Sequence, residues 1–115
     1  MVSEPAPGQE DIKIIMLARS ARARVAAPEG AAVRDETGRT YAAAAVALPS
    51  FSLSALRLAV AMAVSSGAAS LEAAALVSDT DAADPADLAV LHDLGPSVRL
   101  FLAGTDGVLR ATLVP

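Results

Sequence analysis

The sequence predicts an α/β sandwich, with one mixed sheet of about five strands covered by helices on both faces. Three observations lead to this prediction. Apolar residues recur at helical spacing in three segments, short β-compatible runs lie between these segments, and polar turn residues separate the two kinds of run. The predicted order is helix, hairpin, helix, strand, helix, hairpin. A chain of 115 residues is long enough for one domain with a single core.

The N-terminal part of the chain predicts a short tail followed by a helix. Residues 1–8 contain prolines and a glycine, so we expect a frayed tail there and a domain spanning residues 9–115. From Glu10 to about Arg22, apolar residues recur at helical spacing. This stripe comprises Ile12, Ile14, Ile15, Leu17, Ala18 and Ala21. Pro28-Glu29-Gly30 then ends the helical pattern.

A hairpin is predicted next. Residues 31–34 form its first strand, residues 35–38 form a tight polar turn, and residues 39–46 form its second strand. The intrinsic propensity of the four alanines at 42–45 favours a helix. The preceding turn, the flanking β-compatible residues and the stop at Pro49 favour a strand, and we expect this context to prevail.

The second predicted helix is almost continuously apolar and ends at residues 65–67. Three serines before it are candidate caps: Ser50, Ser52 and Ser54. Because the helix has so little polar surface apart from Arg57, we expect it to be buried against a sheet or a partner. Residues 73–77 follow as a central, parallel strand.

A polar loop connects this strand to a third predicted helix. Asp84 suits the N-cap and Pro85 the first helical position, and Gly95-Pro96 ends the helix. An apolar strand that leads into a polar loop and a capped helix is where α/β folds place binding and catalysis. A final antiparallel hairpin comprises strand 98–102, turn 104–107 and strand 108–113.

The composition predicts self-association and excludes several partners. Hydrophobic residues make up 54 % of the chain, more than a small domain can bury, so we expect part of one face to bury against another copy or another protein, and hence an oligomer. Three arginines form the only sizeable basic group, without interleaved aromatic residues: Arg19, Arg22 and Arg24. We assign Arg19 and Arg22 to the last turn of the first helix, and we expect no nucleic-acid partner.

No membrane segment or signal peptide is predicted. The longest apolar region, 41–64, is interrupted by Pro49, by serines and by Arg57. The first nine residues lack a basic stretch followed by an apolar one. The absence of cysteine excludes disulfides and thiolate ligands, and agrees with a cytoplasmic location.

Several short pieces, in the right order, resemble the small, zinc-dependent cytidine deaminases that act on nucleosides. They are Gly30 to Val33, Glu36 to Arg39 with Tyr41, Val77 to Asp81, Leu94 to Pro96, and Thr105 to Gly107. The resemblance covers nearly the whole chain and implies a cytidine deaminase-like three-layer sandwich whose last two strands form an antiparallel hairpin. It also implies assembly into dimers or tetramers.

The resemblance implies a zinc-bound water held by one Cys or His and by two Cys, with a Glu that moves protons. In this chain the three ligand positions fall on Ser54, Asp84 and Asp87, and the Glu position falls on Leu56. A pair of ribose-contacting positions falls near Ala45 and Ala47. Every one of these positions departs from the family pattern.

A serine hydroxyl and two aspartates are a poor ligand set for zinc, and a leucine cannot carry a proton. We therefore expect no zinc and no other cofactor. Mg²⁺ prefers oxygen ligands, but a capping role for Asp84 and a first-turn role for Asp87 explain these residues better. Arg57 matches an arginine of the family pattern, and we expect it to form an ion pair or hydrogen bond with Asp84 or Asp87.

Other candidates for chemistry are weaker. His92, the only histidine, is expected at the end of the third helix, in solvent. The serines at 50, 52 and 54 lack the surroundings of a nucleophile. Asp79 and Asp81 match a structural loop of the family, and no phosphate-binding glycine pattern occurs.

Three functions remain open from the sequence. The favoured hypothesis is a non-catalytic protein of the deaminase fold with a structural or protein-binding role. The alternatives are an active cytidine or deoxycytidine deaminase and a nucleoside-binding sensor. The sensor is opposed by Ala45, Ala47 and Leu56, which fill or depolarise the site.

Overall fold

The computed structural model describes residues 6–80 and 82–115. Its elements are α1 (Gln9–Val25), β1 (Glu29–Asp35), β2 (Thr40–Ala44), β3 (Val46–Leu48), β4 (Phe51–Leu53), α2 (Ala55–Ser65), β5 (Leu71–Ser78), α3 (Pro85–Asp93), β6 (Arg99–Ala103) and β7 (Leu109–Leu113). Five strands form one sheet in the order β2-β1-β5-β6-β7, and β3 pairs with β4 in a separate two-stranded sheet. No helix in the described part of the chain is long and apolar enough to cross a membrane.

The main sheet is mixed, as predicted. β1 runs antiparallel to both β2 and β5, β5 runs parallel to β6, and β6 runs antiparallel to β7. The central strand is therefore parallel on one side only. The predicted C-terminal hairpin is confirmed, and the alanine-rich run after the first turn is a strand despite its helical propensity.

Side chains alternate between two cores because successive strand residues point to opposite faces of the sheet. One core contains Ala31, Val33, Leu76 and Leu100 and is covered by α2 and α3. The other contains residues of alternate register, among them Ala32, Ala73, Val77 and Phe101, and is covered by α1. The fold is therefore three layers, with one helix on one face of the sheet and a pair of helices on the other.

The second strand of the first hairpin is shorter than predicted. It ends at Ala44, and Val46 begins a separate hairpin in which β3 pairs with β4, with Val46 opposite Leu53. At the junction the Ala45 N–H donates to the Glu29 carbonyl oxygen at 3.2 Å. The expectation of a single strand to Val46 that stops before Pro49 was wrong, because Pro49-Ser50 forms a turn that pairs residues 46–48 with residues 51–53.

Helix α1 is longer than predicted and changes the roles of two arginines. It continues to Val25 and ends at Ala26, whose φ of 50° is left-handed. Its last turn therefore holds Arg22 and Arg24 rather than Arg19 and Arg22. Arg19 instead donates from Nε to the carbonyl oxygen of Thr105 at 3.2 Å, which ties α1 to the turn between β6 and β7.

A partly buried ion-pair network joins α1 to the sheet. Arg34 lies 3.1 Å from Asp11 on α1 and 2.9 Å from Glu72 on β5. Arg99 also contacts Asp11, at 3.3 Å. Burial on its own would lower the pKa of Arg34, but hydrogen bonds and charge attraction from Glu72 and Asp11 outweigh it and the pKa is raised. The network thus keeps α1 aligned with the strands through charged groups at its N-terminal end.

The turn between β1 and β2 is organised by Asp35. Its Oδ1 accepts from the Thr37 hydroxyl at 2.7 Å, from the Thr37 N–H and from the Arg39 N–H, and its Oδ2 accepts from the Tyr41 hydroxyl at 3.0 Å. The Thr37 hydroxyl contributes most to lowering the pKa of Asp35. Burial and the contact with Asp35 raise the pKa of Tyr41. These contacts explain the sequence of the tight polar turn.

Candidate functional site

The N-termini of α2 and α3 lie side by side on one face of the sheet, and each begins with a side-chain cap. Ser54 caps α2, with its Oγ accepting from the Arg57 N–H at 3.1 Å. Asp84 caps α3, with its Oδ1 accepting from the Ala86 N–H at 2.8 Å. Pro85 occupies the first helical position, where no backbone donor is needed. Serine and aspartate are preferred at helix N-caps, and both residues have that role here.

Three side chains meet between these helix ends in a polar cluster, which comprises Ser54, Arg57 and Asp87. The Ser54 hydroxyl donates to Asp87 Oδ1 at 2.7 Å. Arg57 Nε lies 2.9 Å from the same oxygen and 3.0 Å from Ser54 Oγ. Ser54 lies 33 positions and Arg57 lies 30 positions from Asp87 in sequence, yet both are hydrogen-bonded to it. The cluster joins the first turn of α2 to the first turn of α3.

The two aspartates differ in their surroundings. The Asp87 side chain is only 2 % exposed, so its charge is stabilised by contacts within the protein. The Asp84 side chain is 56 % exposed and lies 3.9 Å from Arg57 Nη2, at the limit of an ion pair. Arg57 is 35 % exposed and faces both carboxylates. Asp87 is therefore the main partner of Arg57, and Asp84 acts mainly as a helix cap.

Glu29 is a further residue of this site, and sequence reasoning gave it no role. It begins β1, and its Oε1 accepts from the Ala55 N–H at 3.1 Å, the first helical residue of α2. The first N–H groups of a helix lack partners within the helix and attract anions. The Glu29 carboxylate is therefore an anion of the chain itself that binds at the N-terminus of α2. The only sequence signal for it is a lone carboxylate at the start of a strand.

The remaining predicted site positions carry no titratable group. Leu56 is fully buried in the core beneath α2. Ala45 is half-buried against the same core, whereas Ala47 is exposed on β3 and pairs with Ser52. The structure thus places the two alanines on either side of the junction between β2 and the small hairpin. No pocket is present over residues 6–80 and 82–115.

Other candidates from the sequence lie away from this cluster or outside the described chain. His92 lies in the last turn of α3 and is exposed. Ser50 and Ser52 belong to the β3–β4 hairpin and are exposed, so neither caps α2. Asp79 is exposed in the loop after β5, and Asp81 lies outside the described residues.

The donor set at the helix ends does not fit a tetrahedral zinc ion. Zinc sites in proteins use thiolates, imidazoles or carboxylates, and a neutral hydroxyl is a weak ligand. Here the Ser54 hydroxyl proton is donated to Asp87, and the hydroxyl oxygen accepts from Arg57. The guanidinium lies beside both carboxylates and would repel a second cation. No group of three or more His, Cys, Asp or Glu residues suited to a metal occurs where the chain is described.

The fold and the paired helix ends define the class of protein. A family model described as cytidine deaminase-like matches residues 7–107, so the chain belongs to the cytidine deaminase-like family.

Two solved structures have the same fold. This chain superposes on the cytidine deaminase of Burkholderia pseudomallei with a TM-score of 0.77 and 23 % identity. The match covers 89 % of this chain and 90 % of that deaminase. The cytidine deaminase of Mycobacterium leprae gives a TM-score of 0.64 and 21 % identity, over 78 % of this chain and 85 % of the other. No curated protein matches the chain in sequence. The predicted family and sandwich fold are therefore confirmed.

Proposed function

We propose that this chain is a non-catalytic member of the cytidine deaminase-like family with a structural or protein-binding role. The observation that supports this most directly is the polar cluster, in which Ser54, Arg57 and Asp87 satisfy one another at the paired helix ends. Hydrolytic deamination needs a metal-activated water and a group that transfers protons. The cluster provides a poor ligand set for the metal.

The proton-transfer position supports the same proposal. Leu56 lies fully buried in the core and has no ionisable group. Glu29 is a further carboxylate at the N-terminus of α2, and its Oε1 accepts from the Ala55 N–H. That oxygen is therefore already engaged in capping. An active deaminase is therefore the less supported alternative, although the two structurally similar proteins are cytidine deaminases.

A nucleoside-binding sensor is also less supported. Polar groups that could recognise a base or a sugar are engaged within the chain, as shown by the contacts of Glu29 and Asp87. The two alanines in the ribose-contacting positions, Ala45 and Ala47, offer no side-chain hydrogen bond.

We further propose that the protein is a cytoplasmic homo-oligomer that associates through α2 and the β3–β4 hairpin. Between Arg39 and Glu72 the chain has one charged residue, Arg57, which is paired with Asp87. This segment exposes four large apolar side chains: Leu48, Phe51, Met62 and Val64. Charged residues are depleted at the centres of interfaces, and an uncharged surface can face its own copy without repulsion.

The experiment that tests loss of activity is elemental analysis of the purified protein combined with a deamination assay. Cytidine and deoxycytidine are incubated with the protein, and formation of uridine or deoxyuridine is followed by absorbance. We expect no stoichiometric zinc and no turnover, with or without added zinc. Stoichiometric zinc together with turnover would overturn the proposal. Isothermal titration with cytidine tests the sensor alternative, and saturable binding without turnover would favour it.

A further inference from the structure

The paired helix ends hold a cation that belongs to the chain itself. Arg57 Nε lies 2.9 Å from Asp87 Oδ1, and Arg57 Nη2 lies 3.9 Å from Asp84 Oδ2. We infer that Arg57 takes the electrostatic place of a divalent cation at this site and excludes one, so that a divalent cation binds there only when the guanidinium is removed. This inference rests on the proposed loss of zinc and deepens it.

Arg57 offsets part of the negative charge at these helix ends. Asp84, Asp87 and Glu29 carry three negative charges, Arg57 carries one positive charge, and each of the two helix N-termini contributes about half a unit of positive charge. Asp87 is nearly inaccessible to water, so an imbalance at its carboxylate would be costly. Loss of Arg57 would leave a surplus of about two negative charges at the helix ends, and the buried Asp87 would lose its cationic partner.

The place of Arg57 in its helix supports a role tied to these carboxylates. Ser54 is the N-cap of α2, so Arg57 lies in the first helical turn. A cation in the first turn is opposed by the partial positive charge of the helix N-terminus. The contact with Asp87 reverses this disadvantage, since it brings an anion from a second helix to the same point. Arg57 is thus placed where a carboxylate of a second helix offsets the unfavourable position.

The donor atoms around the guanidinium define the kind of ion that would replace it. Ser54 Oγ, Asp84 Oδ2 and Asp87 Oδ1 face Arg57. Oxygen ligands suit hard divalent cations such as Mg²⁺ and Mn²⁺. These two ions, used alone as chloride salts, are therefore the appropriate probes.

The test compares Arg57→Ala with the unaltered protein by thermal unfolding, in EDTA and in millimolar MgCl₂ or MnCl₂. We expect Arg57→Ala to lower Tm by about 5–10 °C in EDTA. Either divalent ion should restore most of this loss, whereas the unaltered protein should respond to neither. Calorimetric titration with MnCl₂ should show one site in the variant and none in the unaltered protein.

Matched variants separate this role from a general loss of stability. Arg24→Ala removes an exposed arginine of α1 and should show neither the loss nor the metal response. Arg57→Ala/Asp87→Asn also removes the buried carboxylate charge, so it should be more stable than Arg57→Ala in EDTA and should not respond to metal. If Arg57→Ala does not fold, Arg57→Gln answers the same question, since it keeps hydrogen-bond donors but has no charge.

Two results would overturn the inference. One is binding of Mn²⁺ by the unaltered protein at this site as tightly as by the Arg57 variant. The other is a folded Arg57→Ala or Arg57→Gln variant that no divalent ion stabilises. Neither result bears on the proposed loss of activity, which is decided by zinc content and turnover of the unaltered protein.

Discussion

Gly30 is the position where a single methyl group should most disturb this fold. A Cβ at Gly30 would lie 2.2 Å from the Ala18 carbonyl oxygen and 2.8 Å from both N and Cβ of Arg22. These atoms belong mainly to the α1 backbone, which cannot move aside as a flexible side chain can. Gly30→Ala therefore requires α1 to move away from β1, and with it the core that α1 covers.

The expected cost follows from these distances. Overpacking in a well-packed core costs about 1–3 kcal/mol. Because the obstacle here is helix backbone, we expect Gly30→Ala to lie at the upper end, at about 3 kcal/mol. For a domain of this size the corresponding fall in Tm is about 12 °C. The free energy of unfolding is measured by urea denaturation, followed by far-ultraviolet circular dichroism.

Two other glycines serve as controls. At Gly38 nothing lies within 4 Å of an added Cβ, but φ is +88°, so Gly38→Ala should cost about 1–2 kcal/mol from backbone strain alone. At Gly8 the nearest atom to an added Cβ is 4.0 Å away, so Gly8→Ala should cost only the roughly 0.5–1 kcal/mol by which alanine is a poorer N-cap of α1 than glycine. A Gly30→Ala variant within about 0.5 kcal/mol of the unaltered protein would refute the close approach of α1 and β1.

Three further predictions concern the turn, the cap and the surface. Because hydrogen bonds lower the pKa of Asp35, its contribution to stability is present above about pH 4 and is lost as pH falls through the folded-state pKa. Thr37→Val should therefore destabilise the protein at neutral pH, and the difference in urea midpoint between the variant and the unaltered protein should narrow in acid. A difference in urea midpoint that is constant with pH would contradict this account. Asp84→Ala removes the α3 cap and should cost about 1 kcal/mol by urea denaturation, whereas Asp84→Asn should cost much less; equal losses would show that charge, not capping, matters. Met62→Glu places a charge on the uncharged face of α2 and should convert an oligomer to a monomer, as measured by light scattering, with little change in protomer folding. A monomeric mass for the unaltered protein at micromolar concentration would refute the proposed association.

The predicted elements that were correct depend on strong local signals. The periodicity of α1, the cap and proline at the start of α3, and the turn residues of the two predicted hairpins are readable without tertiary information. The β3–β4 hairpin was missed because its strands have three residues each and their sequence, rich in serine, equally suits helix capping. Whether such short strands pair depends on the tertiary structure around them.

The candidate site was predicted in part. The predicted loss of ligand positions and the expected proximity of Arg57 to Asp84 and Asp87 came from a resemblance, which placed two separate segments at adjacent helix ends. Glu29 was not found because its partner, the Ala55 N–H, is 26 residues away in sequence. No local pattern distinguishes a carboxylate that caps a remote helix from one that is solvated at a strand end.

By itself, the sequence determined the order of the three helices and of the five strands of the main sheet, the mixed character of that sheet and the absence of thiolate ligands, because periodicity, turn chemistry and residue type are local properties. Only the tertiary structure decided that Asp87 rather than Asp84 is the main partner of Arg57, and that Glu29 caps α2. The reason is physical: the burial that makes Asp87 depend on a cation arises when two helices pack on the same sheet, and no short stretch of sequence contains that packing.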